Sequence, residues 1–204
     1  MTTANQPRVL ALVCTLTPSP AGSSSDLLAQ QVLEQFEANG VPGQAIRVVN
    51  RDVRPGVAVD MGDGDAWPEI REKLLASDIL LLATPIWLGH PSSIAQRVLE
   101  RLDGELSETD DNGLPYMYNK VATVAVVGNE DGAHKVSADL FQALDDIGFS
   151  IPAGGVTYWV GEAMQGTDFK DLDKVPDTVA QTTEQLAKNA THLARLLRAS
   201  PYPA

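Results

Sequence analysis

One cysteine, Cys14, occurs in 204 residues, so no internal disulfide can form and a zinc centre built on thiolates is excluded. Basic residues are scarce as well. There are 15 lysines and arginines against 27 aspartates and glutamates, a formal net charge of -12, which argues against a surface made to neutralise nucleic-acid phosphates or to lie on anionic lipid. Long apolar runs are missing: no segment approaches the roughly 18 residues a membrane span needs, and the opening "MTTANQPR" lacks the basic-then-apolar order of a signal peptide. The three histidines, His90, His134 and His192, are dispersed without H-x-H or H-x-x-x-H spacing, and no metal site is expected. Also absent are the Walker lysine and the G-x-G-x-x-G turn, which removes a nucleotide triphosphatase and a standard dinucleotide site. These absences leave a cytoplasmic protein of one domain, residues 1–204, whose partners are small molecules or other proteins, with neither nucleic acid nor membrane among them.

What the chain does contain is a series of short apolar runs, each followed by a segment with helical spacing. "VLALVC" (9–14) is apolar on both parities, as suits a strand covered on both faces. In "DLLAQQVLEQFEANG", Leu27, Leu28, Val32, Leu33 and Phe36 fall at helical intervals and Gly40 supplies a stop. "AIRVVN" (45–50) reads as a second strand, a helix is expected over 67–77, and "DILLLAT" (78–84) is the most apolar strand. "PSSIAQRVLERLDG" carries Ile94, Val98, Leu99 and Leu102 on one stripe, and "KVATVAVVGN" (120–129) reads as a fourth strand. A helix over 132–149 with Val136, Leu140, Phe141 and Leu144 inward, a fifth strand over 155–161, and a final helix over 176–198 complete the series. Val179, Leu186, Leu193 and Leu196 are the expected buried face of that last helix. Five such alternations predict an α/β fold, a parallel sheet between layers of helices. Periodicity leaves open whether its order is 2-1-3-4-5 or that of a dinucleotide-binding half fold.

In an open sheet of this kind, ligands bind beyond the carboxyl ends of the strands, where strand order reverses. The loops after strands one, three and four therefore carry the candidate residues. "TLTPSPAGSSS" offers Thr15, Thr17, Ser19, Ser23, Ser24 and Ser25 and opens into a helix, so hydroxyls and unpaired N–H groups together suit an anion. Plain capping accounts for one of those hydroxyls, not six. "PIWLGHPSS" leaves a buried strand through Pro85 and presents Trp87, whose place there suits the face or edge of a flat heterocycle against the backbone of Ile86, Leu88 and Gly89. A core or subunit-interface role for Trp87 is the alternative. "GNEDGAH" puts Gly128, Asn129 and Gly132 before another helix, letting backbone approach a ring, while His134 is either a hydrogen-bond donor to a ligand or a helix-surface residue.

"TPIWLGHPSSIAQRVLERLD" resembles the loop-and-helix motif of the flavodoxin-like NADPH-dependent FMN reductases, "ALVCTLTPSPAGSSSDLLAQ" is similar to their phosphate loop, and "VVGNEDGAH" to their third flavin loop. The motifs stand in the family's order, and the resemblance runs to about residue 160. It implies a flavodoxin-like three-layer sandwich with a five-stranded parallel sheet of order 2-1-3-4-5, non-covalent FMN, and NADPH or NADH as electron donor. Thr15, Thr17, Ser23, Ser24 and Ser25 would then hold the phosphate, Pro85, Ile86, Trp87, Leu88 and Gly89 the isoalloxazine edge, and Gly128, Asn129 and Gly132 the other side. Members often carry Gly-Ser-x-Arg in the first loop; this chain reads Cys14-Thr15-Leu16-Thr17, so that arginine is missing.

The implied activity is hydride transfer from a nicotinamide through FMN to a quinone, a flavin or a similar small acceptor, with no side chain acting as obligatory acid or base. The implied assembly is a homodimer or higher homo-oligomer in which the neighbour walls the site, through the 105–119 segment with Tyr116 and Tyr118 or through "YWVGEAMQG" (158–166). Two rivals stand beside it. A flavodoxin-type carrier between protein partners fits the acidity but lacks its T/S-x-T-G-x-T loop here, and a flavodoxin-fold protein without flavin would be non-catalytic.

Overall fold

In the computed structural model, which describes residues 6–162 and 165–203, the strands are β1 (Val9–Val13), β2 (Gly43–Arg47), β3 (Ile79–Trp87), β4 (His90–Pro91), β5 (Val121–Gly128) and β6 (Val156–Val160). The helices are α1 (Ser24–Ala38), α2 (Trp67–Leu75), α3 (Ser93–Asp103), α4 (Ala133–Ile147) and α5 (Asp177–Ala199). The long strands pair in parallel in the order β2-β1-β3-β5-β6, while the two-residue β4 folds back antiparallel on the end of β3. Counting the parallel strands alone, this is the 2-1-3-4-5 order, and the fold is flavodoxin-like.

Strict alternation along fully buried strands sorts the core into two layers. Leu10, Leu12, Leu80, Leu82, Val124 and Val126 meet α2, α3 and α4 on one face. Val9, Ala11, Val13, Leu81, Ala83 and Val127 meet α1 and α5 on the other. Every residue of β1 is buried, which is why its sequence shows no polar face.

The chain departs from the periodic reading at three places. The second strand begins at Gly43 and ends at Arg47, the third residue of the expected run 45–50, because the chain tightens into a 3₁₀ turn over Val48–Asn50; β-branched Val48 and Val49 look like strand but lie beyond the register with β1. Leu196, expected on the buried face of the last helix, is 50% exposed, and Leu27, one of the apolar residues at helical intervals in α1, is 37% exposed. In α5 Val179 and Leu186 are buried as expected and the inward stripe continues through Ala187, Ala190, Ala194 and Leu197, where small residues sit at the layer shared with α1.

The β1–β3–β5 order puts three loops at the carboxyl edge of the sheet, while the opposite edge is closed by polar contacts. There Lys120, just before β5, donates its ammonium to the carbonyls of Leu75 at 2.9 Å and Ser77 at 2.5 Å, capping the end of α2. Burial pushes this ammonium down to about 8, against which the carboxylates of Asp78 and Glu105 work only in part. Below pH 8 both folded and unfolded chains carry the proton; between 8 and 10.5 only the unfolded chain does, so this group makes stability rise with pH across that window. Urea unfolding at pH 8 and pH 10 checks it: relative to Lys120→Met, the wild type should gain roughly 2 kcal/mol over the interval, and parallel pH profiles of the two proteins would contradict it.

Candidate functional site

The first loop and α1 are locally specified. Ser23 caps α1, its hydroxyl accepting the N–H of Asp26 at 3.3 Å, so the N–H groups of Ser24 and Ser25 are left without an intrahelical acceptor. Thr15 Oγ1 accepts the N–H of Thr17 at 3.2 Å, tightening the turn out of β1. These hydroxyls are acceptors within the loop, and their own O–H groups remain available to donate outward. Behind the loop, Arg47 at the end of β2 donates to Ala21 O at 2.8 Å and pairs with Asp26 at 2.8 Å. A cation thus braces the loop from its rear face, which nothing in the local pattern of a strand residue announces.

Ser92 joins the first and second loops. Its hydroxyl donates to Cys14 O at 2.5 Å at the end of β1 and accepts the N–H of Ala95 at 3.1 Å, capping α3. Its own N–H donates to Thr84 Oγ1 at 3.1 Å in β3. Cys14 lies beneath this junction with no exposure, and burial pushes its thiol far above the ordinary range, so it is a packing residue and no nucleophile.

The second and third loops meet each other as well. The N–H of Leu88 donates to Glu130 Oε1 at 2.8 Å, with Leu88 at φ 52 and Gly89 at φ 72 in the left-handed region. A Cβ on Gly132 would stand 3.0 Å from Gly89 Cα, so the crossing of these two loops requires glycine there.

Together these elements enclose a cleft of about 240 Å³. Of the residues singled out in the sequence, the structure brings Thr15, Thr17, Ser23, Ser24, Ser25, Pro85, Ile86, Trp87, Gly128 and Asn129 to its walls. Leu88, Gly89, Gly132 and His134 stand elsewhere. Leu88 projects outward at 88% exposure, Gly89 and Gly132 form the loop crossing, and His134 faces a separate depression, its Nε2 2.9 Å from the hydroxyl of Tyr158. Tyr116 and Tyr118 lie by the amino edge of the sheet: Arg71 stacks over Tyr116 and Tyr202 packs edge-on against Tyr118. Any wall they make for a cleft therefore belongs to a second copy. Of the "YWVGEAMQG" wall, Ala163 and Met164 lie outside the described residues.

Sequence reasoning missed one side of the cleft altogether. The short 3₁₀ segment Phe169–Asp171 crosses over the start of α1 and adds Asp168, Phe169 and Lys170 to the lining. Phe169 anchors it, 2% exposed and 5.6 Å from the Trp159 ring centroid. Lys170 N–H donates to Ser24 Oγ at 3.2 Å and Asn129 Nδ2 to Asp168 Oδ1 at 3.1 Å. The available signal was a lone aromatic in the charged run "TDFKDLDK".

Chemically, the start of α1 offers hydroxyl and backbone N–H donors, the loop after β3 offers the apolar surfaces of Ile86 and Trp87, and Trp159 lines the cleft beside Phe169. That donor set fits a phosphomonoester joined to a planar ring. No group of three or more His, Cys, Asp or Glu among the described residues is placed to hold a metal ion.

The model of the family described as NADPH-dependent FMN reductase matches residues 7–165. A Streptomyces davaonensis protein named 8-demethyl-8-aminoriboflavin-5'-phosphate synthase is 32% identical over 207 residues, 96% of this chain and 80% of that protein. The crystal structure of RosB with bound intermediate 8-demethyl-8-formylriboflavin-5'-phosphate is similar with a TM-score of 0.87 at 31% identity, covering 96% of this chain and 82% of that one. A Mycobacterium bovis protein named divalent metal cation transporter MntH is 32% identical over 199 residues, 94% of this chain but 29% of that protein. No helix among the described residues is long and apolar enough to cross a membrane.

Because Ser92 is both the cap of α3 and a buried link to β1, Ser92→Ala loses two hydrogen bonds at once. It should destabilise the protein by about 2 kcal/mol in urea unfolding; a loss below about 0.5 kcal/mol would mean that the junction is not what spaces the loops.

Proposed function

This chain belongs to the NADPH-dependent FMN reductase family, an oxidoreductase-type enzyme with FMN and a reduced nicotinamide as its cofactors, and from that premise we propose that it delivers reducing equivalents to a small acceptor, a quinone or a free flavin. The observation that carries this reading is the convergence of three strand-end loops on one cleft, polar at the α1 end and apolar at the Trp87 end. Bound FMN supplies hydride acceptance and donation at its ring.

The protein's own residues bind, orient and screen. Ser23, Ser24 and Ser25 hold the phosphate through hydroxyls and helix-terminal N–H groups, and Arg47 keeps that loop in shape. Ile86 and Trp87 give the ring an apolar wall, with Trp159 beside the 3₁₀ segment Phe169–Asp171. The one carboxylate among the described lining residues, Asp168, is engaged by Asn129 and Lys170, which leaves no free acid or base and suits chemistry in which the flavin does the transfer. Trp87, 55% exposed, and Leu88, 88% exposed, present an apolar rim at the open side. A second copy covering that rim would complete the wall and exclude water, and this makes a homodimer the assembly we favour.

A second reading is favoured by the relative at 32% identity whose name makes a modified flavin phosphate its product, and by the modified flavin phosphate bound in RosB. There the flavin in the cleft is substrate, and its ring leaves altered. Purified protein supplied with FMN, NADPH and a quinone, with and without dioxygen and an amino-acid amine donor, separates the readings when nicotinamide oxidation, quinone reduction and the mass of the recovered flavin are all followed. The proposal expects oxidation of NADPH matched by reduction of quinone, with the flavin mass unchanged. A flavin of altered mass without matching quinone reduction would establish the second reading, and reduced flavin stable to quinone but discharged by a protein partner would establish a carrier.

A further inference from the structure

Lys170 is the one cation among the described residues that line the cleft. It stands over the start of α1: its backbone N–H is bonded to Ser24 Oγ, and its side-chain stem passes 3.7 Å from where a Cβ on Gly22 would sit. Arg47, the other cation near the first loop, is committed on the rear face to Ala21 O and Asp26. In a chain of net charge -12, an anionic ligand meets an unfavourable field unless a positive group is close enough to act within a screening length.

The present partners of Lys170 are ones it can leave. Its Nζ donates to Asp168 Oδ2 at 2.9 Å and to Asp171 Oδ2 at 2.7 Å, carboxylates that are 43% and 59% exposed. Exposed pairs of this kind contribute little, because water competes for both ions. Asp168 keeps a second donor in Asn129 when the ammonium departs, and Asp171 is hydrated. The segment itself is held by the burial of Phe169 and not by the charge next to it.

We propose that Lys170 distinguishes a phosphorylated flavin from its unphosphorylated form, its ammonium moving from Asp168 and Asp171 onto the phosphate held at Ser23, Ser24 and Ser25. The strap over residues 168–171 is then a specificity-determining lid for the phosphomonoester, lying outside the three strand-end loops and supplying the charge that the first loop lacks. This rests on the FMN reading of the cleft and names the contact that reads the phosphate.

Quenching of flavin fluorescence measures the affinities of FMN and riboflavin in parallel for the wild type, Lys170→Met and Lys170→Arg, at low and high salt. Methionine keeps the stem along Gly22 and the backbone bond to Ser24, and thermal melting verifies that the variants are folded. Lys170→Met should weaken FMN about 10- to 100-fold, leave riboflavin within about twofold, and flatten the salt dependence of FMN binding; Lys170→Arg should recover most of the loss. Unchanged FMN affinity in Lys170→Met overturns the proposal, and so does an equal loss for both flavins, which would show that Lys170 merely fastens the strap. A wild-type protein that binds neither flavin overturns the FMN reading itself and this proposal with it, a result distinct from either of the others.

Discussion

Ser92 holds the end of β1, β3 at Thr84 and the start of α3 in one geometry, its hydroxyl bonding Cys14 O and the N–H of Ala95 and its backbone N–H donating to Thr84 Oγ1. It sits where the sheet order turns from β2-β1 toward β3-β5-β6, the position at which an open parallel sheet parts its loops. A buried, fully paired polar group of this kind specifies distance more sharply than apolar packing does. Because it fixes the spacing between the first and second loops, the cleft between them has a definite width, and the Leu88–Glu130 bond then brings the third loop to the same rim.

The electrostatic design follows from the composition. An acidic protein that takes up a phosphate cannot rely on its overall field, so attraction has to be local and short-ranged. In the proposed reading it would come from helix-terminal N–H groups and hydroxyls at Ser23 to Ser25, from a loop stiffened by Arg47 at its rear, and from Lys170 on the 168–171 segment. Each cation already has a carboxylate beside it, Asp26 for Arg47 and Asp168 with Asp171 for Lys170. That arrangement balances each positive charge locally.

Much of this was legible in the chain. Strands such as "VLALVC" and "DILLLAT" are apolar on both parities because both faces are covered, and that alone placed the loops after them at one edge. Ten of the fourteen residues singled out there do line the cleft. Leu88, Gly89, Gly132 and His134 do not, since nothing local tells whether a loop residue faces the ligand, the neighbouring loop or solvent. The strap was invisible because its position depends on Phe169 finding Trp159, a contact between segments with no shared periodicity. Leu196 and Leu197 exchanged roles for a related reason: the phase of α5 is set by Leu186 and Leu197 together with the alanines at 187, 190 and 194, which pack against the layer shared with α1.

The central claim is that a flavin phosphate lies in this cleft with its phosphate at the start of α1, and a crystal structure of the protein with FMN tests it most directly. The account predicts phosphate oxygens within hydrogen-bonding distance of the N–H groups and hydroxyls of Ser23 to Ser25, with the ring against Ile86 and Trp87. A flavin found at another edge of the sheet, or in this cleft with its phosphate turned away from α1 into solvent, would contradict it.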